Sequence, residues 1–172
     1  DLIYSMGFSE TVIRSYFIVI FFILLLNFFN QLFLGDSGAY SISFLVGFLL
    51  IEIYNNNQNI SPYFIIVLLW YPCFENLFSI IRKNFRKKNP LEPDTEHFHQ
   101  KLFIFFKQKF KLSGLKSNVL SSILILFSNS IIFFVASKAV SHSIFQICLL
   151  IVCISLYLSV YLLVDNMIDK DN

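Results

Sequence analysis

Two short stretches carry nearly all the residues that could do chemistry. The first is Phe33-Leu34-Gly35-Asp36-Ser37-Gly38, which sets one carboxylate at the end of a long apolar run. A carboxylate at membrane depth is costly unless it is paired, hydrated or coordinating an ion. Asp36 therefore reads either as a functional carboxylate or as the cap of the helix that follows. The second stretch brings Arg82, Lys83, Arg86, Lys87 and Lys88 to the end of another apolar run, followed by Pro90, Pro93, Asp94, Glu96 and the pair His97-Phe98-His99. Guanidinium and ammonium groups suit phosphate oxygens, and imidazoles can donate to phosphate or bind a metal. The plainer reading is that the cations anchor a helix end and set topology. Zinc on His97 and His99 would need further ligands; Asp94 and Glu96 are at hand, but no cysteine is near. His142 falls in a short polar turn, and Asp165, Asp169 and Asp171 read as a solvated acidic tail.

The elements that position these stretches belong in a bilayer. Hydrophobic residues make up 56% of the 172, charged residues only 14%, and 22 are Phe. No single soluble core hides that much apolar surface. Runs of about 20 apolar residues suffice to cross the hydrocarbon as helix. The predicted architecture is an all-α, multi-span membrane bundle of about five helices, near residues 13–34, 40–54, 61–81, 118–138 and 142–164. Glycines flanking Asp36 predict a break between the first two, and Pro72 a kink near Tyr71 in the third. Cys73, Cys148 and Cys153 sit singly in apolar runs and read as packing residues. Ten of the thirteen Lys and Arg fall between Arg82 and Lys116. Because cations accumulate on the cytoplasmic side, residues 82–117 form a cytoplasmic loop. Counting spans then puts residues 55–59 outside and residues 35–38 inside, so both motifs reach one face.

Together the motifs resemble the polyprenyl-phosphate N-acetylhexosamine-1-phosphate transferase family. That family's pattern N-x-x-x-x-x-F-L-G-D-S-G-S is similar to Asn27 through Ala39. Its pattern P-x-x-D-x-x-x-x-x-x-R-R-x-x-R-G-R-S-P-F-x-P-D-R-x-H-L-H-H-x-L is similar to Pro72 through Leu102 without a gap. Departures include Glu75 for Asp, Lys87 for Gly, Lys88 for Arg, Asn89 for Ser, Thr95 for Arg and Gln100 for the last His. The resemblance covers about residues 20–105 and implies transfer of a sugar-1-phosphate from a UDP-sugar to polyprenyl phosphate, initiating a lipid-linked glycan of the cell envelope. It implies Asp36, His97 and His99 as catalytic residues, with Asp36 holding magnesium, or manganese in its place. Gly35, Ser37, Arg82, Arg86, Lys88 and Asp94 would bind substrate. It implies multi-pass insertion in the inner (plasma) membrane with cytoplasmic site loops, is compatible with a homodimer, and calls for no nucleic acid. The family's Asp-Asp-x-x-Asp and Asn-x-x-Asp-Gly motifs have no counterpart here. The chain is thus expected to be the C-terminal part of a longer enzyme, inactive alone; the competing expectation is a non-catalytic multi-span protein.

Overall fold

The computed structural model describes residues 10–29, 31–87 and 96–170, with side chains described for 14–29, 31–87 and 96–168. Its described residues form seven α-helices: α1 Glu10–Phe28, α2 Gly35–Asn56, α3 Pro62–Leu68, α4 Trp70–Phe85, α5 Phe98–Lys109, α6 Gly114–Ser137 and α7 Ser143–Lys170. By length and apolar composition α2, α6 and α7 suit membrane spans; the bent pair α3–α4 makes a fourth, and residues Arg14–Phe28 form a shorter apolar helix. This is the expected helical membrane bundle. The chain divides into two compact units, residues 1–60 and residues 61–172.

In the first unit the chain leaves α1 through a turn in which Gln31 N–H donates to Leu26 O (2.8 Å) and the Asn27 side chain to Leu32 O (3.2 Å). The Gly-Asp-Ser-Gly stretch starts a helix instead of interrupting one, so α2 begins about five residues earlier than the expected Tyr40. Gly35 supplies the left-handed backbone (φ 65°) at that entry, a conformation costly for residues bearing a Cβ. Asp36 then falls in the first turn, where a negative charge complements the helix dipole. With 22 residues, α2 is about 33 Å long, enough to cross a bilayer core.

The second unit is built around α7. Pro72 does disrupt the third span, but the 72° bend lies at Leu69, not at Tyr71. The proline ring clashes with the carbonyl four residues back, at Leu68, so the helix fails one turn upstream. It restarts at Trp70, which leaves Pro72 in the first turn of α4, where a missing N–H is tolerated. Ser61 caps α3 through its hydroxyl to Tyr63 N–H (3.3 Å) and meets the Ser143 hydroxyl (2.9 Å), while its own N–H donates to Val140 O (3.0 Å). The start of α3 is thereby tied to the α6–α7 turn. The fully buried Gln146 donates to Ala136 O and Ala139 O, both 2.9 Å, satisfying carbonyls at the end of α6.

Residues 82–117 are not all loop: α5 occupies 98–109 and packs on both α6 and α7. Phe98 and Leu102 of α5 join Trp70, Cys153, Tyr157, Tyr161, Val164 and Ile168 in the buried core. Nor does the chain fray at Asp165. With no breaker after Leu163, α7 continues through Asp165 to Lys170; Asp171 lies outside the described residues. Of the cysteines, Cys153 is buried as a packing residue, whereas Cys73 and Cys148 are exposed on the outer faces of α4 and α7. Their apolar runs face outward, alongside exposed residues such as Leu77, Ile151 and Leu156, as expected where lipid is the solvent.

Candidate functional site

The second unit gathers the polar motif around two carboxylates, Glu75 and Glu96. Glu75 lies on α4 and is buried. Its Oε1 accepts from Phe98 N–H (2.7 Å) and faces His97 Nδ1 (3.1 Å), while its Oε2 accepts from the Tyr157 hydroxyl (2.6 Å). Those donors offset the cost of taking the carboxyl group out of water. It joins three elements, α4, the start of α5 and α7. His97 precedes α5 directly, and its backbone N–H donates to the Gln100 side chain (3.2 Å). Gln100, a departure from the family pattern, thus holds the helix start as a glutamine three residues into a capping box does. The His99 ring stacks on His97 at 5.7 Å, nearly parallel (15°), and is exposed.

Glu96 organises the cations. Its carboxylate pairs with Arg86, lies 3.7 Å from Arg82 Nε and 4.0 Å from Lys101 Nζ. Arg82 is buried, sandwiched between the Phe78 and Tyr161 rings (5.3 and 5.5 Å to their centroids), and donates to the Tyr161 hydroxyl (3.0 Å). The Tyr161 hydroxyl in turn donates to Glu96 O (3.1 Å). Lys101 also pairs with Asp165, which is therefore a structural partner and not part of a solvated tail. Arg86, 44% exposed, is the cation of this group most open to an incoming anion. Lys87 adopts φ 53° just past the end of α4. That left-handed position explains why the resembling pattern carries glycine there.

Burial raises the Glu96 pKa, but the hydrogen bond and charge of Arg86, then the charges of Lys101 and Arg82, outweigh it and leave the carboxyl below its ordinary value near 4.5. A carboxylate depressed in the folded state stabilises the fold above its unfolded pKa and loses that contribution as pH falls through the folded value. The α4–α5 junction is therefore expected to weaken below about pH 4.5. The lone tryptophan, Trp70, reports the core by fluorescence. Its melting midpoint should fall between pH 6 and pH 3.5 in the wild type, and less steeply in Glu96→Gln.

Asp36, Ser37 and Gly35 lie at the start of α2 in the first unit, with Asp36 and Ser37 exposed. Arg82, Arg86, His97 and His99 lie in the second, whereas Lys88 and Asp94 fall outside the described residues. Tyr157, Tyr161 and Lys101 were not singled out from sequence, Glu75 stood there only as a departure from the family pattern, and Asp165 only as part of a tail. The signal was present: Tyr157, Tyr161 and Asp165 recur every four residues, on one face of a mostly apolar helix. Among the described residues no three His, Cys, Asp or Glu side chains converge on a point that would hold a metal. A single exposed carboxylate suits a hard cation that keeps its waters and shares the substrate's phosphates, which is how magnesium is commonly held.

No family model matches the chain, and no solved structure matches it. Over 76 residues, 44% of its length, it is 30% identical to a Bacillus subtilis (strain 168) protein described as a probable undecaprenyl-phosphate N-acetylglucosaminyl 1-phosphate transferase. The matched stretch is 21% of that protein's length. The partial likeness to polyprenyl-phosphate sugar-1-phosphate transferases that the two motifs carry is thus met in a curated relative.

Proposed function

We propose that this chain is the C-terminal part of an inner-membrane transferase that moves an N-acetylhexosamine-1-phosphate from a UDP-sugar to polyprenyl phosphate. The observation that carries the reading is the coming together of Arg82, Arg86, Lys101 and the Glu75-held His97 at the junction of α4, α5 and α7. These are the groups that a diphosphate needs, within the stretch whose pattern resembles the family. In the reaction a lipid-phosphate oxygen bonds to the β-phosphorus of the UDP-sugar, and the bond from that phosphorus to the bridging oxygen breaks. UMP leaves and the lipid carries the diphosphate sugar. Arg86 and Arg82 bind phosphate oxygens, and the His97 imidazole contacts the diphosphate beside them. Asp36 would hold magnesium, which when bound neutralises charge on the diphosphate.

The 172 residues contain no adjacent aspartate pair, so the attacking lipid phosphate would be positioned by residues from elsewhere in the complete protein. The same observation favours the second reading, a non-catalytic multi-span protein. Membranes containing the protein from its complete coding sequence, supplied with polyprenyl phosphate and a panel of UDP-amino sugars, separate the two. Release of UMP with formation of a lipid diphosphate sugar, abolished by chelation and restored by magnesium, is expected. No UMP from any donor would overturn the transferase reading.

A further inference from the structure

We infer that Tyr157 is a positioning residue which, through Glu75, fixes the ring nitrogen that His97 offers to substrate. Its consequence for turnover rests on the transferase reading above; its structural content does not. The Tyr157 ring is 5% exposed and locked among Trp70, Phe74, Phe78, Phe98 and Tyr161, with centroids 5.1 to 6.4 Å away. Its hydroxyl donates to Glu75 Oε2 at 2.6 Å. That commitment leaves Oε1 for α5, where Phe98 N–H and His97 Nδ1 meet it at 2.7 and 3.1 Å.

The division of labour between the two oxygens sets a proton. Facing the carboxylate, which accepts, Nδ1 is the nitrogen that carries the hydrogen in this proposal. Nε2 then carries no hydrogen, and it is the ring nitrogen able to accept one. Carboxylate torsions are soft. Without the Tyr157 hydroxyl the group can swing, with Oε2 competing for the α5 donors and the imidazole no longer held in one tautomer. Orientation of an imidazole by a carboxylate behind it is a known means of setting its basicity and aim. Here the carboxylate is itself aimed by a phenol from another helix.

The test uses the chain with 15N-labelled histidines in lipid nanodiscs. It holds three histidines, so His99→Gln and His142→Gln assign His97. In the wild type the His97 spectrum should show a protonated Nδ1 and a single tautomer. Tyr157→Phe keeps the ring and removes the hydroxyl; it should give averaged nitrogen shifts from two exchanging tautomers. Tyr161→Phe, which loses a hydroxyl one turn along that does not touch Glu75, should leave the His97 spectrum unchanged. If Tyr157→Phe fails to fold, Glu75→Gln decides: with the charge gone and Tyr157 intact, the preference for a protonated Nδ1 should be lost. Wild-type His97 shifts in a folded Tyr157→Phe, or in Glu75→Gln, would overturn the inference. In the complete protein Tyr157→Phe should lower kcat about tenfold with KM for the UDP-sugar unchanged. A spectrum that responds in a protein with no transfer activity would sink the transferase reading and leave the positioning role standing.

Discussion

In the complete protein, Asp36→Asn and His97→Ala are each expected to cut turnover at least about 100-fold while leaving membrane insertion intact. Asp36→Asn keeps the size of the side chain and removes only its charge. The residue is exposed in the first turn of α2, so little packing is lost. His97 is flanked by features that survive its truncation: Gln100 still accepts from the residue 97 N–H, and Phe98 N–H still reaches Glu75. Removing one preorganised group that stabilises the transition state typically costs about 2.7–4 kcal/mol. His99, positioned by stacking on His97 and otherwise exposed, should matter less. Steady-state rates on purified variants, alongside a check of their membrane fraction, measure this. Full activity of either variant would mean that the chemistry resides on other residues.

Glu75→Leu should be the most destabilising single change in the second unit. The replacement leaves the Phe98 N–H and the Tyr157 hydroxyl buried without their acceptor. Each orphaned donor costs about 1–3 kcal/mol, and both losses fall on the contacts that dock α5 against α4 and α7. Glu75→Gln retains one acceptor oxygen and should lie between the wild type and Glu75→Leu. Denaturant or thermal unfolding in detergent micelles, followed by Trp70 fluorescence, gives the order. A Glu75→Leu variant as stable as the wild type would show that the network is satisfied in some other way.

What the sequence displayed and what it concealed differ in physical kind. Apolar runs long enough for a bilayer announce themselves, and so does a proline inside one; the all-helical membrane architecture followed directly. The location of the bend did not, because the ring of Pro72 acts on the carbonyl of Leu68 and displaces the break one turn upstream. Helix α5 was hidden because its basic residues read as loop charge, whereas burial of Phe98 and Leu102 on α7 makes it a helix with an inner face. Glu75 stood in the sequence only as a departure from the family pattern, since its partners are 22 and 82 residues away. Asp165 looked solvated for the same reason, its partner Lys101 lying 64 residues earlier. Cation and imidazole motifs are local in sequence and were legible; the carboxylates and phenols that aim them are not local and were not.

Three polar side chains of α7, Tyr157, Tyr161 and Asp165, lie along one side of the helix. Tyr157 meets Glu75, Tyr161 meets Arg82, and Asp165 meets Lys101, all along one side of one rod. Inserting or deleting one residue in α7 ahead of Tyr157 would turn that whole stripe by about 100°, releasing all three partners together, although no residue of the stripe had changed. Frame, not composition, is what this last helix transmits: its outward apolar side chains are interchangeable among themselves, while the angular phase between its anchor at Ser143 and its tyrosines is fixed. A helix that would pass for a membrane anchor works as a camshaft for the loop beneath it.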